Sequence, residues 1–463
     1  MHTMWFSPTQ RERERGERER VAECFCRNGC KTSNQYKQRA IHLIQSTIHV
    51  LTPDFLHSSF GALQYSTDCK MVQRNGLTVH VSNKTHWEES SLIPGLPNDV
   101  SLRCLARLPR AALMRSRFVC KAWKTLFESK EFCELRLKIQ SAEAWIYILT
   151  EQPFATPFKA FDPASNQWFS LPRTPMLPEN TEWQGFACAA LGPTLIVMGG
   201  VYLSKNEASQ GLTGFVSSEV YIYSACTNQW SKGPCMNTAR SWFAAAVVGD
   251  LLYVAGGQGN NCFLNSVEVY DPKKNSWSFV SSMHYARSSC CGLSKDGKLW
   301  IIGGEVQRNQ HYIKPCRGSA EVYDPESKAW SVIPEMWLNR EKVPGPTTVH
   351  DEKVLSVYQS KLMMFVDETH SWCHVGDLSG TDMFSNQSSR YGFGCVSLDK
   401  RLYIVGGMRM SKHYQNSVQC LNSIEVSDLP ASSQGKSTYT KWQNLASMGN
   451  SEGTILASAV MTM

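Results

Sequence analysis

The sequence predicts an all-β propeller of six blades, preceded by a small all-α domain and an N-terminal extension without regular structure. Two features recur along the last two thirds of the chain. Four diglycines lie about 50 residues apart, or twice that where one copy has lost its pair, and they stand at Gly199-Gly200, Gly256-Gly257, Gly303-Gly304 and Gly406-Gly407. Six tryptophans end the copies and indicate six blades: Trp168, Trp230, Trp277, Trp330, Trp372 and Trp442.

Each copy has the pattern of four antiparallel strands. The clearest copy runs from Arg287 to Trp330: an apolar strand, an Asp-Gly turn, a second strand ending in Gly303-Gly304, the strand AEVYDP and a strand around Trp330. Second strands such as LLYVAGG and LWIIGG are apolar on both faces, as expected between neighbouring blades. Glycine permits a positive φ near the crowded channel, and Asp-Pro ends the third strand. We expect each tryptophan to pack between blades, in a ring that leaves only short edges.

The two ends of the repeat region predict how the ring closes. The first copy has no innermost strand before Trp145–Leu149, and the C-terminal sequence EGTILASAVMTM is a strand without neighbours in sequence. We expect that final strand to become the innermost strand of blade one. The fifth copy, VLSVYQSKLMMFV to Trp372, has neither a diglycine nor a Tyr-Asp-Pro turn and is the most degraded blade.

Composition limits the classes of protein to which the chain can belong. No apolar run is long enough to cross a membrane, and the first residues have no apolar segment of the kind found in a secretion signal. The 17 cysteines are scattered, many of them in predicted strands, which indicates reduced thiols and a cytoplasmic or nuclear location. The cluster Cys24, Cys26 and Cys30 lacks the paired spacing of a zinc site, so we expect no metal.

Charge is unevenly distributed along the sequence. Residues 91–140 contain ten Lys or Arg and four Asp or Glu, whereas the extension over residues 1–90 contains twelve and nine. The run RERERGERER in that extension alternates in sign and has no apolar face, so we expect no fold there. The sequence contains no basic stripe with interleaved aromatic residues, so a basic helical surface that meets an acidic protein explains the charge better than nucleic acid does.

Residues 91–138 predict a small helical domain. Asn98 or Asp99 can cap a helix after Pro97, and Pro109 ends that helix. Its apolar face comprises Val100, Cys104, Leu105 and Leu108, and the apolar positions of a second helical stretch are Leu113, Val119, Trp123, Leu126 and Phe127. A domain of this size has few core positions, so we expect a partner to cover part of its apolar surface.

These motifs resemble two known families. LPND, LARLP, RFVCKAWKTL and the closing Ser129–Phe132 segment resemble an F-box, and the repeats over residues 142–463 resemble kelch repeats. The combination resembles the plant F-box/kelch-repeat proteins and covers nearly all of the chain after residue 90. The resemblance implies a non-catalytic substrate receptor of a Skp–cullin–F-box (SCF) ubiquitin ligase. The F-box would dock on the Skp-type adaptor, and through it on a cullin, while the propeller would hold the protein to be ubiquitinated.

The resemblance also implies two sets of site residues. We expect about half of the matched F-box positions to form its own core and the rest, above all the Leu96-Pro97 entry and the Leu108-Pro109 turn, to contact the adaptor. The set is Leu96, Pro97, Leu105, Leu108, Pro109, Leu113, Val119 and Trp123. On the propeller, kelch receptors grip acidic segments with arginines just before the innermost strand. The matching residues and their neighbours are Arg240, Ser241, Trp242, Arg287, Ser288, Arg390 and Tyr391. The alternative is that these arginines bridge adjacent blades or cap loops. The second copy has Trp183-Gln184-Gly185 at that place.

Two other classes of protein remain as alternatives. An enzyme would need a motif such as a nucleophile–base pair or converging metal ligands, and the histidines lie in turns and loops without ligand spacing, so we expect neither catalysis nor a cofactor. A non-ligase kelch scaffold or cytoskeleton-binding protein would not need the F-box. Irregular loops would choose the substrate, and they span residues 202–215, 306–318 and 408–419.

Overall fold

The computed structural model describes residues 91–463 except 151–157, 175–180, 207–210, 261, 307–317, 337–344, 359, 379–389, 411–417, 429–440 and 450–453. The interpretation of residues 1–90 lies outside the described residues, as does most of the loops 306–318 and 408–419. The expectation that residues 202–215 form an irregular loop is wrong, because residues 201–206 and 211–216 pair as an antiparallel hairpin. The chain divides into two compact units, Met1–Phe127 and Glu128–Met463. None of the described helices is long and apolar enough to cross a membrane.

Four short helices follow residue 97, namely α1 (Asn98–Ala106), α2 (Arg110–Ser116), α3 (Lys121–Glu128) and α4 (Lys130–Lys138). Pro97 and Pro109 stand directly before α1 and α2, where a fixed φ and a missing N–H favour the start of a helix. The expectation that Asn98 or Asp99 caps α1 is wrong. Asn98 is already helical, and its Oδ1 accepts a hydrogen bond from Leu92 N at 2.9 Å, which holds the entry loop.

The strands follow the helices in chain order. Those of blades one and two, with a short sheet beside them, are β1 (Ala144–Thr150), β2 (Lys159–Asp162), β3 (Gln167–Ser170), β4 (Thr181–Gln184), β5 (Ala187–Leu191), β6 (Thr194–Met198), β7 (Val201–Asn206), β8 (Gly211–Val216), β9 (Val220–Ser224) and β10 (Gln229–Lys232). Blades three and four, with a small ladder, comprise β11 (Ala244–Val248), β12 (Leu251–Ala255), β13 (Val267–Asp271), β14 (Ser276–Val280), β15 (Arg287–Ser288), β16 (Cys291–Lys295), β17 (Lys298–Ile302), β18 (Glu305–Val306), β19 (Ala320–Asp324) and β20 (Ala329–Ile333).

The remaining strands form blades five and six and complete blade one. They are β21 (Thr347–His350), β22 (Lys353–Tyr358), β23 (Lys361–Val366), β24 (Ser371–Asp377), β25 (Arg390–Tyr391), β26 (Gly394–Leu398), β27 (Arg401–Val405), β28 (Met408–Met410), β29 (Val418–Cys420), β30 (Ile424–Asp428), β31 (Gln443–Asn444) and β32 (Ile455–Thr462).

Six four-stranded antiparallel sheets confirm the blade count. Their orders are β3-β2-β1-β32, β10-β9-β6-β5, β11-β12-β13-β14, β16-β17-β19-β20, β21-β22-β23-β24 and β26-β27-β30-β31. The fifth, degraded copy is a complete four-stranded sheet. The innermost strands contact one another in a circle, in the order β32, β5, β11, β16, β21 and β26, and then β32 again. The C-terminal strand β32 pairs with β1 from Ala144–Thr462 to Thr150–Ile455, so the two ends of the repeat region meet in blade one, as the sequence predicts.

The blade tryptophans join neighbouring blades. Each of the six donates its indole N–H to a main-chain carbonyl of the preceding blade or of the segment that leaves it. Trp277 donates to Pro234 O at 2.9 Å and Trp330 to Ser281 O at 2.7 Å. Trp168 of blade one donates to Ala446 O, just after the last strand of blade six, at 2.8 Å. The tryptophan of each blade therefore sets the spacing to the preceding blade, and Trp168 does so where the ring closes. This role explains why a tryptophan recurs in every copy.

The burial of the cysteines agrees only in part with the expectation from the sequence. Burial raises the pKa of the Cys188 and Cys395 thiols to about 12 and those of Cys290 and Cys291 to about 11, so these four groups are protonated and unreactive at neutral pH. Cys235, Cys262 and Cys420 are exposed rather than buried. The sulfur atoms of Cys133 in α4 and Cys226, which follows β9, lie in contact. They are 93 residues apart, and only the packing of α4 against the turn of blade two brings them together.

Candidate functional site

One face of the propeller gathers the diglycines and the segments that precede the innermost strands. β11 begins opposite the end of β12, since Ala244 pairs with Ala255, and Gly256-Gly257 follows directly. The same arrangement recurs in the other blades that have a diglycine, and we call this side the diglycine face. Gly257 has φ +99°, and a Cβ there would lie 2.7 Å from Ser241 O, so only glycine fits. This face holds every residue of the predicted substrate site.

Arg240 is fully buried on this face, and its guanidinium forms hydrogen bonds with groups of its own blade. Its Nη1 donates to Gly256 O at 2.7 Å and its Nη2 pairs with Glu268 Oε1 at 2.7 Å. Glu268 is also 0% exposed, and its carboxylate accepts the main-chain N–H groups of Asn237 and Thr238. Burial lowers the pKa of the Arg240 guanidinium, and the Glu268 carboxylate opposes that change. The pair is a buried ion pair in which Nη1 and Nη2 of the guanidinium and both carboxylate oxygens are hydrogen-bonded, whereas Arg240 Nε has no hydrogen-bond partner among the described residues.

Blades four and six repeat this arrangement. Arg287 donates to Gly303 O at 2.7 Å and pairs with Glu321 at 2.9 Å. Arg390 donates from Nε to Gly406 O at 2.7 Å and pairs with Glu425 at 2.9 Å. In each blade the arginine holds the first glycine of the pair and the glutamate of the third strand. The contacts fix the loop before the innermost strand to the second and third strands of its own blade.

The main chain of the arginine segments connects adjacent blades. Gly200 N of blade two donates to Arg240 O, and Gly257 N of blade three donates to Arg287 O. The residue two positions after the arginine continues this link, because Ser289 N donates to Trp242 O and Trp242 N donates to Gly185 O. Of the alternative interpretation, the main chain at the arginines supplies the bridges between adjacent blades, and the guanidinium groups hold the loop before the innermost strand of their own blade.

Their burial corrects the predicted role of the arginines. A guanidinium can bind an acidic segment only if its N–H fork is accessible, and Arg240, Arg287 and Arg390 are 0%, 0% and 5% exposed. Ser241 and Ser288 are buried as well. Of the seven predicted substrate residues, only Trp242 and Tyr391 are exposed, at 38% and 36%. A surface on this face would therefore use aromatic side chains rather than the arginine forks.

Blade two replaces the whole arginine arrangement. Trp183 stands where the others have arginine, and its indole N–H donates to Gly199 O at 2.9 Å, the carbonyl that corresponds to Gly256 O. Tyr221 stands where the others have glutamate, two residues before the tyrosine that pairs with the blade tryptophan. Because the cation and the anion are exchanged together for neutral side chains, no charge is left buried without a partner.

The other two blades also lack the glutamate. By the same register, Met363 of blade five and Lys159 of blade one occupy its position. Lys159 exchanges the donor and acceptor roles of the contact. Its Nζ donates to the main-chain oxygen of Met448 at 2.7 Å, whereas the Glu268 carboxylate accepts main-chain N–H groups. Among the described blades, glutamate therefore occurs only where the arginine occurs. This pairing indicates that the arginine serves the structure of the blade.

The helical unit shows which predicted adaptor residues belong to its core. Leu105, Leu108, Leu113 and Trp123 are 5% exposed or less. Trp123 donates its indole N–H to Leu92 O at 2.8 Å and so fastens the entry loop. Leu96 and Val119 are half-buried, and Pro97 and Pro109 are exposed. Pro97 and Pro109 are the predicted positions that remain accessible, whereas Leu108 is buried and does not fit the contact expected at the Leu108-Pro109 turn.

Two exposed apolar side chains of this unit were missed by sequence reasoning. Phe118 is 85% exposed, and Val100, counted as part of the apolar face of α1, is 39% exposed. Phe118 lies in the turn between α2 and α3, outside the helical periodicity that guided the prediction. The available signal was an aromatic residue directly after the polar run Arg115-Ser116-Arg117. A phenylalanine so exposed marks a contact surface.

Comparisons with known proteins agree with this architecture. The F-box domain model matches residues 93–135, the KLHDC2/KLHL20/DRC7 Kelch-repeats domain model matches residues 150–366, and the Kelch motif model matches residues 389–426. F-box/kelch-repeat protein At1g26930 of Arabidopsis thaliana is 31% identical over 340 residues, which cover 70% of this chain and 75% of that protein. The chain belongs to the F-box/kelch-repeat family.

Further relatives extend over similar lengths. F-box/kelch-repeat protein At1g16250 of Arabidopsis thaliana is 26% identical over 69% of this chain and 84% of its own length. F-box/kelch-repeat protein SKIP30 of the same plant is 25% identical over 81% of this chain and 98% of its own length. The helical unit is thus an F-box and the propeller is a kelch propeller. The family expected from the sequence is confirmed.

Proposed function

We propose that the chain is a substrate receptor of an SCF ubiquitin ligase. The observation that supports this most directly is the combination, in one chain, of an F-box with exposed apolar residues and a six-bladed kelch propeller. F-box/kelch proteins generally act as SCF substrate adaptors. In this proposal the F-box binds a Skp-type adaptor, and through it a cullin, while the propeller binds the protein to be ubiquitinated.

The chemistry of the F-box surface supports such a partner. Val100 and Phe118 supply apolar contacts that a folded partner can bury, and exposed Pro97 and Pro109 add rigid apolar surface. Residues 91–140 contain ten Lys or Arg against four Asp or Glu, which favours an acidic partner. The receptor itself would be non-catalytic and would promote transfer by holding a substrate lysine close to charged ubiquitin. Action in the cytoplasm or nucleus is part of the proposal.

A single substitution at the most exposed position tests the adaptor contact. We expect Phe118→Asp to lower the affinity for a purified Skp-type adaptor at least about tenfold, because it removes an apolar contact and places a charge in the interface. Since Phe118 is 85% exposed, the fold should not change. Calorimetric titration of the full chain measures the affinity, and the melting temperature reports on the fold.

Thr125→Ala is the matched control, because Thr125 is also exposed on the same unit but supplies neither charge nor a large apolar contact. Unchanged adaptor affinity in Phe118→Asp, or an equal loss in Thr125→Ala, would contradict the proposed contact. A charged residue at Leu108 is a poor test, although Leu108 is among the predicted contacts. Leu108 is 3% exposed, so a charge there would unfold the F-box.

A further inference from the structure

The diglycine face has an aromatic surface at blades two and three. It consists of Trp183, Tyr202, Phe215 and Trp242, and we call it the aromatic shelf. Trp183 and Tyr202 belong to the short sheet β4-β7-β8 and stack with ring centroids 5.9 Å apart, and the Tyr202 and Phe215 rings are 5.2 Å apart. Trp183 also stacks on Phe186 at 4.1 Å. The stacking makes the shelf rigid before any ligand arrives.

Two side chains of the aromatic shelf are open to solvent. Phe215 is 65% exposed and Trp242 is 38% exposed, whereas Trp183 and Tyr202 are both 6% exposed and support them. The Trp242 ring lies against Gly185, where an added Cβ would come within 2.7 Å of the ring. One side of the indole is therefore braced by the backbone of blade two. Preformed aromatic surfaces of this kind lose little conformational entropy when a ligand binds.

The charge beside the aromatic shelf is a carboxylate. Glu219 directly follows the loop after β8, and its side chain is 36% exposed. Tyr221 Oη donates to it at 2.8 Å and Lys232 Nζ at 2.7 Å. The Lys232 contact holds the pKa of the Glu219 carboxyl below its ordinary value, so the group is ionised at neutral pH. Burial, and after it the nearby Glu219 carboxylate, raises the pKa of the Tyr202 hydroxyl.

None of the three arginines on the diglycine face is accessible to balance the charge of the Glu219 carboxylate. Arg240, Arg287 and Arg390 are neutralised inside the blades by Glu268, Glu321 and Glu425. Lys232 is 57% exposed, and an ion pair between exposed side chains is weak and easily exchanged for another cation. The faces of tryptophan and tyrosine rings also attract cations. The ligand that complements the aromatic shelf therefore carries positive charge.

We propose that the aromatic shelf binds a segment of the substrate protein in which a lysine or arginine lies beside an apolar side chain. The apolar side chain packs between Phe215 and Trp242, and the cation contacts the ring faces and replaces Lys232 at Glu219. This assignment rests on the proposed function, and it replaces the acidic segment expected from the arginines with a basic one.

Selection from a random-peptide phage library tests the proposal without a known substrate. The full chain and its Phe215→Ala, Trp242→Ala double variant are panned in parallel. We expect peptides enriched by the native chain, and not by the variant, to combine Lys or Arg with an apolar residue. Phe215 is 65% exposed and Trp242 is 38% exposed, so neither belongs to the buried core, and the melting temperature of the variant reports that the propeller is folded.

Two further variants locate the contact. Synthetic copies of the selected peptides should bind Glu219→Gln about tenfold more weakly, because the complementary charge is gone. Glu305→Gln is the matched control, since Glu305 is an exposed carboxylate on the same face but belongs to blade four, and it should leave binding unchanged. Enrichment of acidic peptides, equal enrichment by the double variant, or no enrichment would each overturn the proposal.

The result can be separated from that of the adaptor test. Peptide selection depends only on the propeller, and the Phe118→Asp titration depends only on the F-box. If the adaptor binds and the selection fails, the assignment of the aromatic shelf is wrong and the ligase proposal stands. If the adaptor does not bind and basic peptides are selected, the chain has a recognition surface outside an SCF ligase.

Discussion

Blades two and three solve the same structural problem with opposite chemistry. Each must hold the carbonyl of the first glycine in its diglycine pair. Blade three uses the Arg240 guanidinium and neutralises it with Glu268, both fully buried. Blade two uses the neutral indole of Trp183 at the same carbonyl and has Tyr221 in place of the glutamate. The comparison teaches that a buried arginine is only one way to hold this carbonyl. Where Trp183 replaces the arginine, blade two gains an aromatic surface.

The largest effect should come from breaking the ion pair of blade three. We expect Glu268→Leu to cost about 3–5 kcal/mol of folding free energy, because it leaves the Arg240 guanidinium buried without its anion. It also leaves the Asn237 and Thr238 N–H groups without an acceptor. Denaturant unfolding of the full chain, followed by tryptophan fluorescence, measures the loss.

A double variant sharpens this result. Arg240→Met together with Glu268→Leu removes both charges, as blade two does, and we expect it to be more stable than Glu268→Leu alone. If the double variant were the less stable of the two, the arginine would contribute chiefly through its contacts to Gly256 O and Ser266 rather than through the paired charge.

A smaller effect is expected in blade two. Trp183→Phe keeps an aromatic ring for stacking but removes the N–H that Gly199 O accepts, at a cost of about 1–2 kcal/mol. Trp242→Phe is the control, because Trp242 is exposed on the same face and its substitution should change the unfolding midpoint little. Equal midpoints for Trp183→Phe and the native chain would mean that the indole bond does not replace the guanidinium.

The smallest effect should follow Lys232→Ala, since its ion pair with Glu219 is exposed. Glu219 has a pKa below its ordinary value of 4.5, chiefly because of Lys232, so the stability that this shift contributes is present above that value and is lost as pH falls through the lowered pKa. The variant should therefore melt slightly below the native chain at neutral pH, and the difference should vanish in acid. A difference that grows in acid would contradict the assignment.

The aromatic and arginine sites differ in how far the sequence could reveal them. The three arginines precede equivalent strands, which identifies them as a set, but an arginine fork has the same spacing whether it faces solvent or a buried glutamate. Their partners Glu268, Glu321 and Glu425 are 28, 34 and 35 residues further along the chain. A comparison of the copies could have found the signal, because glutamate appears in the third strand only where arginine precedes the first.

By itself, the sequence determined the number of blades, the closure of the ring through β32 and the presence of an F-box. These features follow from local patterns: the diglycine that needs a positive φ, the tryptophan that ends each copy and the apolar spacing of short helices. Only the tertiary structure decided that Arg240 is buried and that Phe118 and Trp242 are exposed. Burial depends on which distant segments pack over a side chain, and that is a property of the assembled ring and of the folded helices rather than of any stretch of sequence.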